Sequence, residues 1–307
     1  MENTSTNNTD QSFERRKFIT TTLKAACAST LLNVPAIINA AGYREDDLTI
    51  QNVIDIILKE IPGAPFTQTV DTIKSGSAAN KVTGIVSTMF ATVAVIKEAI
   101  RLSANFIVAH EPTFYNHTDD TNWVGNNTVV AEKQELLAKN NITIWRFHDY
   151  WHSHKPDGIF YGVIKKAGWE NYYKPGESTL TVPPDSLKNI VLHLKNKLGI
   201  DHVRVIGDLS KQCKRITLMP GAAGGQRQIT VAEKEKPDVL IVGEVHEWET
   251  AEYIRDARLL GNDIALIILG HSVSEEPGME WFAEWLQPKV PAIKITHVAS
   301  HSPFIWI

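Results

Sequence analysis

Short runs that are apolar on both faces recur along the chain, and they limit its fold more than any other feature. FIVA at 106–109, VLIVG at 239–243 and IALIILG at 264–270 carry no polar residue at alternate positions. A strand made from such a run must be covered on each side. Between these runs lie stretches of helical period. Helices are predicted over 50–61, 93–103, 129–140, 158–167, 186–198, 249–260 and 279–286. Strands are predicted over 84–90, 106–110, 142–148, 203–206, 216–219, 238–242, 264–269 and 293–298. Alternation of this kind belongs to the α/β class, with helix-covered, largely parallel sheets.

The 307 residues are 43% hydrophobic and 21% charged, enough to bury one large core or two modest ones. The stretch 168–185, with Pro175, Gly176, Pro183 and Pro184, is the best candidate boundary. It separates a first lobe, 41–168, from a second, 169–307, whose last segment either stays there or returns to the first. The opening forty residues are of another kind. Arg15 and Arg16 precede Phe18 and a Thr/Ala-rich run that ends in the small residues Ala40 and Ala41. This is read as a bacterial twin-arginine export signal over 1–40, removed from a periplasmic mature protein; the competing reading is a disordered tail running into a short helix. Lys24 and Asn33 make the run too polar for a membrane span, so no stable span is expected in the mature chain. Cys27 leaves with the signal and Cys213 remains alone, so no disulfide can form within the mature chain. The net charge is −4, and the opening forty residues are themselves basic, so nucleic acid is excluded as a partner.

Three strand-like runs end in the same way. FIVAH ends on His110 with Glu111 beside it, ITIWRFH ends on His148 with Asp149, His152 and His154 following, and IALIILGH ends on His271 with Glu275 four residues on. Strand ends of one parallel sheet lie side by side, so these residues can converge on one cleft. Imidazole with carboxylate suits zinc, iron or manganese, and a carboxylate can bridge two ions. A lone His at a strand end is more often a polar cap; three such ends, each with a carboxylate, favour a metal site. WHSH at 151–154 can also be a solvated loop, and HSHKPD at 152–157 approaches a metallo-β-lactamase motif but lacks its last His. The glycine run PGAAGGQ lacks the Lys-Ser/Thr of a phosphate-binding loop and is read as a tight strand-to-helix turn near the cleft. Phe114, Tyr115, Trp123, Tyr150 and Trp151 either line a substrate-facing wall or pack loops or a subunit interface.

Over nearly all of its length after residue 40 the sequence resembles the NIF-three-like dinuclear-metal-centre hexameric family, some members of which carry the name GTP cyclohydrolase type-two homologue. TGIVSTMFATVAVIKEAIRLSANFIVAHEPTFY, FHDYWHSHKPDG, ITLMPGAAGG and PDVLIVGEVHEWETAEYIRDARLLGNDIALIILGHSVSE carry the resemblance. The family's Gly-His-x-x-x-Glu is intact as Gly270, His271 and Glu275. Its His-His-Pro is His-Glu-Pro here, and its ligand Asp falls on His152, or on Asp149 in a shifted register. The resemblance implies two similar α/β lobes with a metal cleft between them at strand C-terminal ends. It also implies two divalent ions, zinc, iron or manganese, held by His110, Glu111, His152, His271 and Glu275, and a homohexamer built as a trimer of dimers. His148 falls on a position that orients a ligand.

The expected activity is that of an exported metal-dependent hydrolase of a small molecule, with His148, Asp149 or Glu244 moving the proton. The alternative is a non-catalytic hexameric assembly that stores metal or presents a binding surface. The cyclohydrolase name fits an exported protein poorly, since such a protein seldom meets GTP.

Overall fold

The computed structural model describes residues 48–307, so the twin-arginine segment lies outside the described residues. Helix α1 (Ile50–Leu58) begins at Thr49, whose hydroxyl accepts the Asn52 N–H while the Asn52 side chain accepts the Thr49 N–H. This reciprocal cap satisfies two donors that a helix start otherwise leaves unpaired. Its Ile50, Val53, Ile54 and Ile57 stripe is buried against the first of two five-stranded sheets.

The first sheet has the order β1-β4-β3-β2-β10, formed by β1 (Ile73–Ser75), β2 (Ile85–Thr88), β3 (Phe106–Ala109), β4 (Thr143–Arg146) and β10 (Ile295–His297). All are parallel except β1, an antiparallel edge. Every residue of β2, β3 and β4 is buried, in β3 as its two-faced apolar sequence requires, and in β2 and β4 with Ser87, Thr88, Thr143 and Arg146 buried among the apolar residues. Alternate residues serve opposite faces. Phe106 and Val108 meet α1 and the long helix α9 (His271–Leu286), whereas Ile107 and Ala109 meet α2 (Val93–Arg101) and α3 (Thr128–Lys139).

The second sheet has the order β5-β7-β8-β9-β6, from β5 (Thr179–Ser186), β6 (Arg204–Ile206), β7 (Gln212–Met219), β8 (Val239–Val242) and β9 (Ala265–Ile268). The central three strands are parallel and both edges antiparallel. Helices α5 (Gly158–Ala167) and α6 (Leu187–Leu198) cover one face, α7 (Gly225–Glu235) and α8 (Glu252–Leu259) the other.

Two helices change sides between the sheets. α5 follows β4 of the first sheet, yet its Val163, Ile164 and Ala167 lie in the core of the second. α9 follows β9 of the second, yet its Met279, Phe282 and Leu286 lie in the core of the first. They cross where Gly162 meets Gly278, so closely that a Cβ on Gly162 would lie 2.4 Å from the Gly278 Cα. Only glycine lets the two backbones approach that far.

Several elements differ from expectation. The proline-rich stretch read as a boundary contains β5, whose register breaks between Thr181 and Asp185, around Pro183 and Pro184. Proline is tolerated there because an edge strand has a side with no ladder to complete. The stretch 151–154, which could be a solvated loop, lies for the most part in the short helix α4 (Asp149–Ser153), with Tyr150 and Trp151 buried. α9 starts at His271 rather than at residue 279 and runs through Pro277. Among the described residues no helix is long and apolar enough to cross a membrane.

Candidate metal centre

The C-terminal ends of β3, β4 and β9 bring their polar residues together. At β3 the change of geometry is visible in the backbone: the N–H groups of His110 and Glu111 donate to Thr88 O (3.2 Å) and Met89 O (2.9 Å) on the same neighbour. In a regular strand successive N–H groups point to opposite sides, so the chain has left strand geometry here, and both side chains enter one site. His110 is fully buried. Its Nδ1 lies 3.0 Å from Phe147 O, a pure acceptor, so Nδ1 carries the hydrogen and donates. Nε2 is then a bare lone pair, buried with no hydrogen-bond partner and 3.9 Å from Glu275 Oε2. Burial, reinforced by His152 and His148, drives the His110 pKa well below the usual value and keeps the ring neutral.

His271 and Glu275 stand one turn apart on α9, with Glu275 Oε2 3.1 Å from His271 Nε2. Glu111 Oε1 approaches the same nitrogen at 3.4 Å, and Glu244, just beyond the end of β8, reaches His271 Nδ1 at 3.2 Å. Burial would depress the His271 pKa, but the three carboxylates outweigh it and push it up to about 12. Burial raises the Glu275 carboxyl; in Glu111 the contact with His271 outweighs burial and holds the carboxyl low. Among the described residues, the His271 imidazole is the group that all three carboxylates approach.

His148 and His152 come from α4 and its N-cap. Each has Nδ1 tied to a carboxylate, Asp149 Oδ1 at 2.9 Å and Asp157 Oδ2 at 3.1 Å, so Nε2 is the ring nitrogen left free. The rings of His110, His148 and His152 pack with centroids 4.7, 4.9 and 5.1 Å apart. Burial lowers the His148 pKa; for His152, Asp157 outweighs burial and raises it. The turn itself is held by Asp71, whose two oxygens accept the His148 and Tyr150 N–H groups at 2.8 Å each. Burial pushes the Asp71 carboxyl up to about 6.

Two sets of side chains bring ligand atoms within 4.8 Å of one another: His110, His148 and His152, and His110, Glu111 and Glu275. Oriented imidazole nitrogens, an orphaned buried lone pair and converging carboxylates are the donors that a divalent cation of the zinc, iron or manganese class requires. The profile of the Duf34/NIF3 (NGG1p interacting factor 3) family matches residues 50–303. The chain belongs to this family. It is 26% identical over 212 residues to a GTP cyclohydrolase 1 type 2 homolog of Clostridium perfringens, covering 66% of this chain and 77% of that one. Its fold superposes on a hypothetical protein of Staphylococcus aureus with a TM-score of 0.68 at 18% identity, covering 85% of this chain and all of the other. A Bacillus cereus protein related to NIF3 gives 0.67 at 16%, again with 85% and full coverage.

Several residues of this Duf34/NIF3 site had no part in the sequence reading. Arg146, fully buried at the end of β4, donates to His110 O (3.2 Å) and to His117 O, and stands 3.5 Å from Glu111 and 3.7 Å from Asp119. It fastens the loop that carries Glu111. A charged residue inside ITIWRFH was the one available signal. Asp71 gave none, because its partners are set by the fold; Asp157 entered only as the last residue of HSHKPD. Asp149 has both oxygens engaged, Oδ1 with His148 and Oδ2 with the Thr69 hydroxyl and the Val70 N–H. It therefore stands behind His148. His154 turns away, with Nδ1 2.7 Å from Pro156 O and its ring against Trp151 and Trp285. The glycine run is a strand-to-helix turn in which Gly221, at φ 68°, is packed by Glu275: a Cβ there would lie 2.0 Å from Oε1. Of the five aromatics weighed as a substrate wall, Phe114, Tyr150 and Trp151 are core residues, while Tyr115 and Trp123 are exposed.

Proposed function

We propose that this Duf34/NIF3 protein is an exported, metal-dependent hydrolase of a small molecule, with two divalent ions held by His110, Glu111, His152, His271 and Glu275. The observation that carries the reading is the bare, buried Nε2 of His110, 3.9 Å from Glu275 in a site where three carboxylates share one imidazole. When bound, such ions lower the pKa of a water and polarise a carbonyl or phosphoryl oxygen. The protein's own part is to orient and to move a proton. Asp149 and Asp157 fix the tautomers of His148 and His152. Glu244, half-exposed at the rim and 3.2 Å from His271 Nδ1, is placed to take a proton from an entering water and pass it to the leaving group. Asp149 is less suited, since neither of its oxygens is free.

By resemblance the mature protein is a ring of six, and light scattering of the metal-loaded protein tests this. The activity test is metal analysis of the purified protein, followed by a screen of phosphoesters, carboxyl esters, amides and GTP with and without chelator. GTP is included because relatives bear a cyclohydrolase name. The expected result is turnover of at least one class that chelator abolishes, that Glu275→Ala abolishes, and that Glu244→Gln lowers by about 100-fold. Full metal loading with no turnover in any class would leave a binding assembly instead.

A further inference from the structure

The site's donors divide. His110 has one ring nitrogen to give, because Nδ1 is spent on Phe147 O. Two sets compete for it, one with His148 and His152 and one with Glu111 and Glu275. The carboxylate set does not need it, because His271 Nε2 already stands 3.1 Å from Glu275 and 3.4 Å from Glu111. The other set does need it, because His148 and His152 alone make only two ligands. We infer that His148 is itself a metal ligand, and that the centre consists of an imidazole subsite of His110, His148 and His152 beside a carboxylate subsite of Glu111, Glu275 and His271. The inference rests on the metal reading of the site proposed above.

The geometry around His148 supports it. Its ring stacks on His110 and meets His152 edge-on, with centroids 4.7 and 4.9 Å away. Its Nδ1 is held by Asp149, the outer carboxylate that metal-bound imidazoles commonly have. Its Nε2 lies 3.8 Å from Glu111 Oε1, at the border of the two subsites. A ring that served only to orient another ligand would point a donor at that ligand; here the donor points outward, to Asp149, and the lone pair points inward.

The division carries a selectivity. Three imidazoles suit a borderline ion such as zinc or cobalt, whereas two carboxylates with one imidazole also suit the harder manganese or iron. A protein offered one equivalent of zinc and excess manganese then holds one of each, zinc among the imidazoles.

Metal-free wild type, His148→Ala and His148→Gln are titrated with zinc, with zinc plus manganese followed by electron paramagnetic resonance, and with cobalt followed by visible absorption. Wild type is expected to take two equivalents of zinc, or one zinc and one manganese from the mixture, and its first cobalt is expected to give the intense bands of a four-coordinate ion. Both variants are expected to bind zinc in the imidazole subsite at least tenfold more weakly while keeping the other ion. The cobalt spectrum needs no variant and so survives any folding defect in them. If both variants bind two zinc ions with wild-type affinity, or if wild-type cobalt shows only weak six-coordinate bands, the division is overturned and the metal reading stands. If wild type binds no divalent ion, the metal reading falls as well.

Discussion

Glu275 reaches both subsites, 3.1 Å from His271 Nε2 and 3.9 Å from His110 Nε2, whereas Glu111, although its Oε1 is 3.4 Å from His271 and 3.8 Å from His148, has its other oxygen beside Arg146 at 3.5 Å. Glu275→Ala is therefore expected to weaken both ions, whereas Glu111→Ala releases about one equivalent and keeps the other; metal stoichiometry after dialysis separates the two outcomes. Gly221→Ala acts on the same carboxylate without removing a ligand. Its Cβ would collide with Glu275 Oε1, and its positive φ costs about 1–2 kcal/mol. Weaker metal binding and a lower Tm are expected together. Away from the site, Lys133 is buried, donates to Thr113 O at 2.7 Å and lies over the Phe114 and Tyr115 rings. Burial lowers its pKa from 10.5 to about 8. Between these values the unfolded chain binds more protons than the folded one, so stability rises with pH across that window, by at most about 3 kcal/mol. Urea denaturation from pH 7 to 10 is expected to show this slope in wild type and to lack it in Lys133→Met. Ligands at strand ends were legible because a polar pair after an apolar run is conspicuous. Asp71 was not, since nothing near it in sequence marks what it holds.

At the scale of elements, strands buried on both faces were the easiest to read, because β3, β8 and β9 are written as unbroken apolar runs. Two of the four edge strands, β1 and β5, were the hardest. β1 is IKS, half-buried, and β5 is TLTVPPDS, where the two prolines that usually end a strand sit in a break of its ladder. The first turns of α9 read as loop because His271–Gly278 contains two serines, a proline and a glycine, all poor helix formers. Packing overrides that preference: Ser274 Oγ accepts the Gly221 N–H at 2.9 Å and Gly278 lies against α5. The crossing of α5 and α9 is thus the most sensitive contact outside the site. Gly162→Leu is expected to cost about 3 kcal/mol or more, because the clash is with backbone that cannot rotate aside. A lowered denaturation midpoint checks it, and Lys166→Ala, which removes only an exposed pair with Glu280 on the same two helices, should move the midpoint by less than about 1 kcal/mol.

The whole molecule is less divisible than its two sheets suggest. The α/β class and helix-covered sheets were legible from alternation alone, but the exchange of α5 and α9 was not, because amphipathic sequence says that a helix has a buried face and not which sheet it faces. Each core lacks a helix without the other segment. Residues 41–168 and 169–307 expressed separately are therefore expected to remain unfolded by circular dichroism and to regain structure only when combined; a folded 41–168 fragment would show that α9 is dispensable. The same exchange bears on the order in which the chain can fold as it is made. β10 pairs with β2, and α9 covers Phe106 and Val108, so elements made after the second sheet close a core begun before it. A growing chain on the ribosome must carry that apolar face uncovered until α9 and β10 have been made. Its high contact order makes closure slow, and a chaperone that shields strands β2 to β4 during synthesis should raise the yield of native protein.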